Sequence, residues 1–297
     1  MNAPYFYPIC LVIISAFVMA LEFFFPWRKE QRQLRKTLPS DLAHLIFNGH
    51  FLGVILFGLA THHVLPRLDA FLSGADLHSS IYRNSASDLA IWLQIPLALF
   101  FIDLLQWGVH NLLHRVPFLW RFHQTHHSVV DGEMDFIVAF RFQWVEVVVY
   151  KSILYLPMAW LGFSTETVMV HALFGTLIGH LNHSNLNISW GPLRYVLNSP
   201  RMHIWHHDYD GDAGNAVNFG IIFSCWDWIF RTAYLPAAQP KRIGFPKVEE
   251  FPKDFLGQTA WPLSSLWRGM LPEKGGSWAA RAIGIGILAT GWWLHHP

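Results

Sequence analysis

Residues 89–127 read LAIWLQIPLALFFIDLLQWGVHNLLHRVPFLWRFHQTHH. From 89 to 107 the stretch is apolar except for Gln94, Asp103 and Gln106, and Asp88 stands before it as a helix cap. Nineteen helical residues rise roughly 28 Å, which matches the ~30 Å hydrocarbon core of a bilayer. His110, His114, His123, His126 and His127 follow within twenty residues. One continuous segment therefore crosses the membrane and delivers five imidazoles at its exit. The fold expected from this reading is all-α, a polytopic membrane helical bundle with a cytosolic histidine-rich cap that holds a di-metal site.

The sequence on either side extends the reading. Residues 5–25 form a second apolar run, long enough to span. Its basic residues (Arg28, Lys29, Arg32, Arg35, Lys36) follow the apolar run, unlike the order of a cleaved signal peptide. Positive-inside bias then puts the N-terminus outside and the basic loop in the cytosol. A further apolar stretch, 42–65, carries His44, Asn48 and His50, which must face protein or water. Residues 66–87 read as an outer loop. The runs 136–162 and 166–181 read as a hairpin that enters and leaves on one side. Residues 234–276 are Pro-rich and more charged, a cytosolic surface region. The last apolar run, 279–294, is short for a span, with Trp292 and Trp293 suited to an interface. The domain division expected is 1–87 for the N-terminal transmembrane part, 88–235 for the catalytic part, and 236–297 for the Pro-rich segment with its C-terminal apolar helix.

Composition agrees with a membrane protein. Of 297 residues, 53% are hydrophobic and only 14% charged, with mean hydropathy +0.27, whereas soluble domains carry about a quarter charged residues. A net charge of +1 without a basic stripe excludes nucleic acid as a main partner. Cys10 and Cys225 are isolated and support neither a disulfide framework nor a thiolate metal site.

The distinctive residue is histidine. The chain has 18, of which eleven lie between His110 and His207. They form H-x3-H (His110, His114), H-x2-H-H (His123, His126, His127), H-x2-H (His180, His183) and a second H-x2-H-H (His203, His206, His207). On a helix, positions i, i+3 and i+4 share a face, so each H-x2-H-H is expected to aim three imidazoles at one volume. Burying these rings without partners would cost roughly 1–3 kcal/mol each, a penalty that metal binding removes. His183 is the ligand expected from the third cluster, with His180 as a further member; His171 reads as structural. Imidazole alone does not choose among Zn, Fe, Cu and Ni. Structural zinc commonly uses thiolate, zinc hydrolases use H-E-x-x-H, and soluble di-iron carboxylate proteins use Glu-x-x-His; none of these patterns occurs. So large a histidine set beside an apolar domain points to a redox pair that acts on lipid.

These motifs, with Asp103, Leu119-Trp120-Arg121-Phe122 before the first H-x2-H-H, Arg141-x4-Glu146, His183-Ser184-Asn185, Ser199-Pro200-Arg201-Met202 before the second, Asn218-Phe219-Gly220 and Trp226-Asp227, resemble the fatty acid hydroxylase/sterol desaturase superfamily over residues 89–234. Asn111, Gln143 and Arg231 stand where that family more often has Arg, His and Gly. The resemblance implies a multi-pass membrane oxidoreductase with two iron ions and O2 as co-substrate. It would hydroxylate or desaturate a C–H bond of a membrane lipid (fatty acyl, alkyl-ether, sterol or isoprenoid). Ligands would be His110, His114, His123, His126, His127, His183, His203, His206 and His207. Asp103, Glu146, Asp227 and Asn218 would support them, the carboxylates accepting from distal ring N–H groups; for Glu146 the alternative is a salt bridge to Arg141 or Lys151. Electrons would come from a ferredoxin or cytochrome b5 type donor, docked by the basic residues of 28–36 or by Lys241-Arg242. The membrane would be a bacterial inner membrane with the site on its cytosolic side, or the endoplasmic reticulum in a eukaryote. Competing readings are a non-catalytic metal-storage or sensor protein and a zinc-dependent membrane hydrolase.

Overall fold

The computed structural model describes residues 5–32, 35–52, 55, 58–74, 84–129, 133–209 and 216–268; the apolar run 279–294 lies outside them. Residues 1–259 form one compact unit and 260–297 a second. Among the described residues there is no β-strand, only isolated bridges such as Pro26 with Leu186 and Leu197 with Phe223. The elements are α1 (Phe6–Phe24), α2 (Leu38–Ala43), α3 (Leu65–Gly74), α4 (Ile91–Arg115), α5 (Pro117–His127), α6 (Trp144–Leu161), α7 (Thr165–His183), α8 (Pro200–His206), α9 (Cys225–Ile229) and α10 (Phe255–Arg268). Three of them, α1, α4 and α6, are long and apolar enough to cross a membrane.

Local chemistry sets the boundaries. Val116 is extended (φ −95°, ψ 112°) because Pro117 disfavours the helical region for the residue before it, and this separates α4 from α5. Pro117 itself occupies the first turn of α5, where its missing N–H costs nothing. Gln143 and Glu146 form a reciprocal capping box at the start of α6. Gly162 ends that helix in the left-handed region (φ +76°), and Ser164 starts α7 by accepting from the Thr167 N–H. The α6–α7 hairpin is thus closed by three residues. Ser199 and Pro200 repeat the cap-then-proline pattern at α8.

Three expectations differ from the structure. The helix α4 starts at Ile91 with Ala90, not Asp88, at its N-cap and no side-chain cap bond. The stretch 42–65 is no continuous α-helix: π-helical turns occupy His44–Leu52 and Ala60–Val64. His44 and Asn48 are buried against protein, with the His44 imidazole 2.8 Å from Gln258 and the Asn48 amide donating to the Phe142 carbonyl at 2.8 Å. Within 66–87, read as a loop, α3 is helical from Leu65, with Pro66 in its first turn.

Packing ties the helices to a cap. Ala98 and Ile102 of α4 meet Met158 of α6, and Val18 of α1 meets Ile178, Leu181 and Ile222. Glu22 near the end of α1 is buried and accepts from the backbone N–H groups of Asn185 (2.7 Å) and Phe136 (3.2 Å). The basic loop after α1 is divided in use. Lys29, Arg32 and Lys36 are exposed, whereas Arg28 donates to the Met134 carbonyl. Arg35 is buried in an ion network: it grips Asp135 through two 2.7 Å bonds and Asp41 at 2.8 Å, and Asp41 pairs with Arg141 at 3.0 Å. Two arginines and two aspartates cancel in charge, which makes their burial tolerable.

Glycines mark where backbones approach. Gly175 and Gly179 of α7 are no close-contact pair, since an added methyl would meet Ile222 only at 4.0 Å and nothing at all, respectively. At Gly220 an added methyl would lie 2.3 Å from the Phe223 carbonyl oxygen. Gly220→Ala is therefore expected to destabilise the fold by about 1–3 kcal/mol. Gly108→Ala, on an open face of α4, should be neutral or stabilising by up to about 1 kcal/mol. Thermal unfolding of both variants in detergent checks this; equal midpoints would refute the assigned crowding.

Candidate metal centre

Nine imidazoles converge where α4, α5, α7 and α8 end together. Their ligand atoms fall into two sets, each lying within 4.8 Å: His110, His114, His123, His127 and His206 in one, His126, His183, His203 and His207 in the other. All nine are buried except His114, which is partly exposed. The sets adjoin, with the His127 and His207 rings 4.3 Å apart.

The division corrects the expectation that each H-x2-H-H serves one volume. In α5 the i, i+4 pair His123 and His127 joins the first set and His126 the second. The α8 motif does the reverse: His203 and His207 join the second set and His206 the first. The reason is angular. Residues four apart differ by about 40° around a helix, while the residue at i+3 lies about 60° to the other side. Each motif thus straddles both sets. His110 and His114, also i, i+4, complete the first, and His183 completes the second.

His180 is not brought into either set. It is fully buried, its Nε2 sits 3.0 Å from the Ser15 hydroxyl of α1, and its ring lies against Phe136 and Phe140. One helical turn before His183, its side chain points to the α1–α7 contact instead of the cap. His171 is likewise buried away from the sets.

Four rings are locked through Nδ1. His110 donates to the Phe219 carbonyl, His206 to Val217 and His183 to Gly179, each at 2.8 Å, and His123 to Glu146 at 2.6 Å. Glu146 also accepts from the Gln143 N–H at 2.9 Å. It therefore holds a ring, and Arg141 turns elsewhere, to Asp41 and to the Ser128 carbonyl directly after the first H-x2-H-H. Carbonyl oxygens only accept, so Nδ1 carries the proton and Nε2 is left as a bare lone pair aimed inward.

Asp103, Asp227 and Asn218 act one layer further out than expected, on backbone and not on imidazole. Asp103 accepts from the N–H groups of Ile222 (2.8 Å) and Phe223 (2.9 Å) and from the Trp226 indole (3.1 Å). Asp227 accepts from Phe219 N–H (2.9 Å), Gly220 N–H (2.8 Å), the Trp107 indole (3.0 Å) and the Thr232 hydroxyl (2.6 Å). Burial pushes the Asp227 carboxyl up, and these donors pull it back. Asn218, at φ +58°, donates to the carbonyls of Met202 and Tyr234 and accepts from the Tyr234 N–H. The Asn-Phe-Gly triplet thus shapes a carbonyl platform for His110 and His206. Sequence reading missed those carbonyls and Gly179's because a backbone acceptor leaves no residue signature. It also missed Trp120, whose ring lies 5.0 Å from His114 and 5.2 Å from His127.

Burial and mutual proximity hold His123, His126, His127, His203, His206 and His207 well below the ordinary histidine range, so these rings stay neutral, the form that binds metal.

Comparison with known proteins agrees with this geometry. Residues 95–232 match the fatty acid hydroxylase family. The chain is 30% identical over 255 residues to the ornithine lipid hydroxylase OlsE of Rhizobium tropici, covering 85% of this chain and 74% of that protein. It is 31% identical over 132 residues to human alkylglycerol monooxygenase, which spans 44% of this chain but 28% of that protein. Against the Danio rerio alkylglycerol monooxygenase it is 28% identical, over 78% of this chain and 54% of the relative. No solved structure matches the chain. With the two histidine sets in place, the match along most of the ornithine lipid hydroxylase assigns this chain to the fatty acid hydroxylase family, an oxidoreductase family of the fatty acid hydroxylase/sterol desaturase superfamily.

Proposed function

We propose that this enzyme hydroxylates a C–H bond of a membrane lipid with O2, using two iron ions held by the nine histidines. The observation that carries the reading is one pair of facing lone pairs beside a second group of converging ring nitrogens. His110 Nε2 and His123 Nε2 lie 3.2 Å apart although both rings have committed their proton at Nδ1. His183 Nε2, bare for the same reason, lies 3.1 Å from His126 Nε2 and 3.0 Å from His203 Nε2. His207, buried, has no hydrogen-bond partner on either ring nitrogen. Such an arrangement repels itself unless a cation sits among the nitrogens. The donor set suits iron: all imidazole, in two adjacent groups, without thiolate.

His110, His114, His123, His127 and His206 would hold one ion and His126, His183, His203 and His207 the other. Bound iron supplies O2 activation and oxidising power toward an unactivated C–H bond, chemistry that the side chains lack. The chain contributes the rest. Phe219, Val217 and Gly179 carbonyls fix ring orientation, and Glu146 adds negative charge and makes His123 a stronger donor. The apolar helices α1, α4 and α6 present the lipid and exclude water. The named relatives act on an ornithine lipid and on alkylglycerols, so a polar membrane lipid is the substrate class proposed, hydroxylation the outcome, and desaturation the competing one. Reducing equivalents would come from a ferredoxin or cytochrome b5 type carrier, docking at the exposed Lys29, Arg32 and Lys36.

Anaerobically purified protein should contain about two irons per chain. Expression of the wild type, but not of His206→Ala, should add a hydroxylated lipid to the host profile. Stoichiometric zinc with lipids that do not respond to O2 would refute the proposal. Glu146→Gln preserves the α6 capping box while removing charge from His123. Iron affinity, read by chelator competition, should fall about 10–100-fold, and unchanged affinity would remove Glu146 from the centre.

The neutral rings also set an acid sensitivity. Below the ordinary pKa of 6.5 the unfolded chain takes up protons that the six depressed rings refuse. Stability of iron-free protein is full above that value and falls as pH drops below it, by up to about 1.4 kcal/mol per pH unit for each ring. The unfolding midpoint of chelator-treated protein should therefore drop steeply between about pH 7 and 5.5; a flat profile would mean that the rings are solvated.

A further inference from the structure

We infer that the outer face of residues 191–196 and 226–231 is embedded in lipid beside α4, so that this flank of the histidine cap is a membrane-inserted element and not a cytosolic one. The inference goes beyond the proposed chemistry and takes from it only that α4 crosses a bilayer. Position comes first. Trp226 packs on Phe100 of α4 with ring centroids 4.3 Å apart, and Phe230 stacks on Trp107 at 4.5 Å. The segment therefore runs alongside residues 100–107, well inside the helix Ile91–Arg115 that is apolar enough to span. The loop with Tyr195 is fastened to it: the Trp228 indole and the Ser224 hydroxyl both donate to the Arg194 carbonyl, and Ser224 N–H donates to Val196.

Irregular backbone survives at that depth only if its polar groups are satisfied internally. Here they are. The N–H groups of Phe219, Gly220, Ile222 and Phe223 all end on Asp227 or Asp103, and the Asn198 N–H donates to the Ile222 carbonyl. Surface chemistry is the second observation. Leu193, Tyr195, Val196, Trp228, Ile229 and Phe230 are all exposed, Ile229 to 61% and Leu193 to 56%. They continue the exposed apolar side chains Leu97, Phe100 and Phe101 of α4. A patch of this kind, rich in Trp and Tyr and continuous with a span, fits acyl chains and the interface above them. Arg194 and Arg231, exposed on the same two segments, can reach lipid phosphates along their flexible stems. Arg231 holds a left-handed backbone (φ +61°) that glycine would adopt without strain, so a charge is kept there at a conformational cost.

The test uses the full chain in nanodiscs of phosphatidylcholine and phosphatidylglycerol. Spin labels are placed, with Cys10 and Cys225 replaced by Ala, at Ile229→Cys or Val196→Cys, with Phe17→Cys on α1 as lipid reference and Lys247→Cys as water reference. Labels at 229 and 196 should collide with O2 and be shielded from a water-soluble nickel chelate, as at 17. Nickel access equal to that at 247 overturns the inference, and shielding from both reagents overturns it in favour of a protein cover. Nickel access at 17 as well would refute the membrane reading of the chain itself. With unmutated protein, a phospholipid carrying a photoactivatable acyl chain should leave adducts within 191–196 and 226–231; adducts confined to α1, α4 and α6 would overturn the proposal.

Discussion

A bare imidazole nitrogen inside protein is best tolerated where the other nitrogen of the ring has an acceptor for its proton, and four of the nine rings gathered here have one. Their inward lone pairs demand outward acceptors, and the acceptors must be rigid. For His183 the acceptor is helical backbone one turn back, and for His123 it is Glu146 at a helix start. For His110 and His206 it is the irregular segment around Asn218, and that segment has donors of its own to satisfy. Asp103, Asp227 and Asn218 do so, and much of the remaining architecture follows from the need to bury them. A carboxylate that accepts several N–H bonds is an economical way to hold backbone that is neither helix nor strand.

The same dependence joins the cap to the bundle. Asp103 and Trp107 belong to α4, so the helix that carries His110 also clamps the segment that orients His110 and His206. Glu22 does the equivalent for α1, tying its end to the residues after His183. On the opposite flank, Arg141 reaches from the Asp41–Arg35–Asp135 network to Ser128, which closes α5 just after His127. Breaking such a network by removing one partner strands a buried charge, so it acts as a brace around the histidine-bearing helices, whatever its net contribution to stability.

Much of this was legible in residue order. The span ending at His110 and the i, i+4 pairs are periodic signals, and they announced both the helical fold and a convergent histidine set. The allocation of each H-x2-H-H to two sets was not legible, because spacing gives angles on one helix and not the direction from which a neighbouring helix arrives. His180 looked like a ligand for the same reason: one turn from His183 it shares a motif but faces α1. Arg35 counted as a cytosolic surface charge because positive-inside bias reads position relative to a span, while its partner Asp135 lies one hundred residues away. The π-helical turns at His44–Leu52 carry no local sequence pattern that marks them.

Asp227 illustrates how a correct residue can act by an unexpected route. It touches no imidazole, yet it is one peptide unit from His110. The Gly220 N–H donates to Asp227, and the carbonyl of that same peptide bond, contributed by Phe219, accepts from His110 Nδ1. Negative charge at one end of a peptide group polarises its carbonyl at the other, so the acceptor facing His110 is stronger than an ordinary amide. Glu146 delivers charge to His123 directly, and Asp227 delivers a weakened share to His110 through one peptide. The two rings whose lone pairs face each other at 3.2 Å are therefore the two whose Nδ1 protons are held by carboxylates, directly or through one peptide. Close approach to glycine is what allows this relay, since any side chain at position 220 would push the Phe223 carbonyl and Asp227 away. The requirement for glycine at position 220 is thus electrostatic in consequence, although steric in cause.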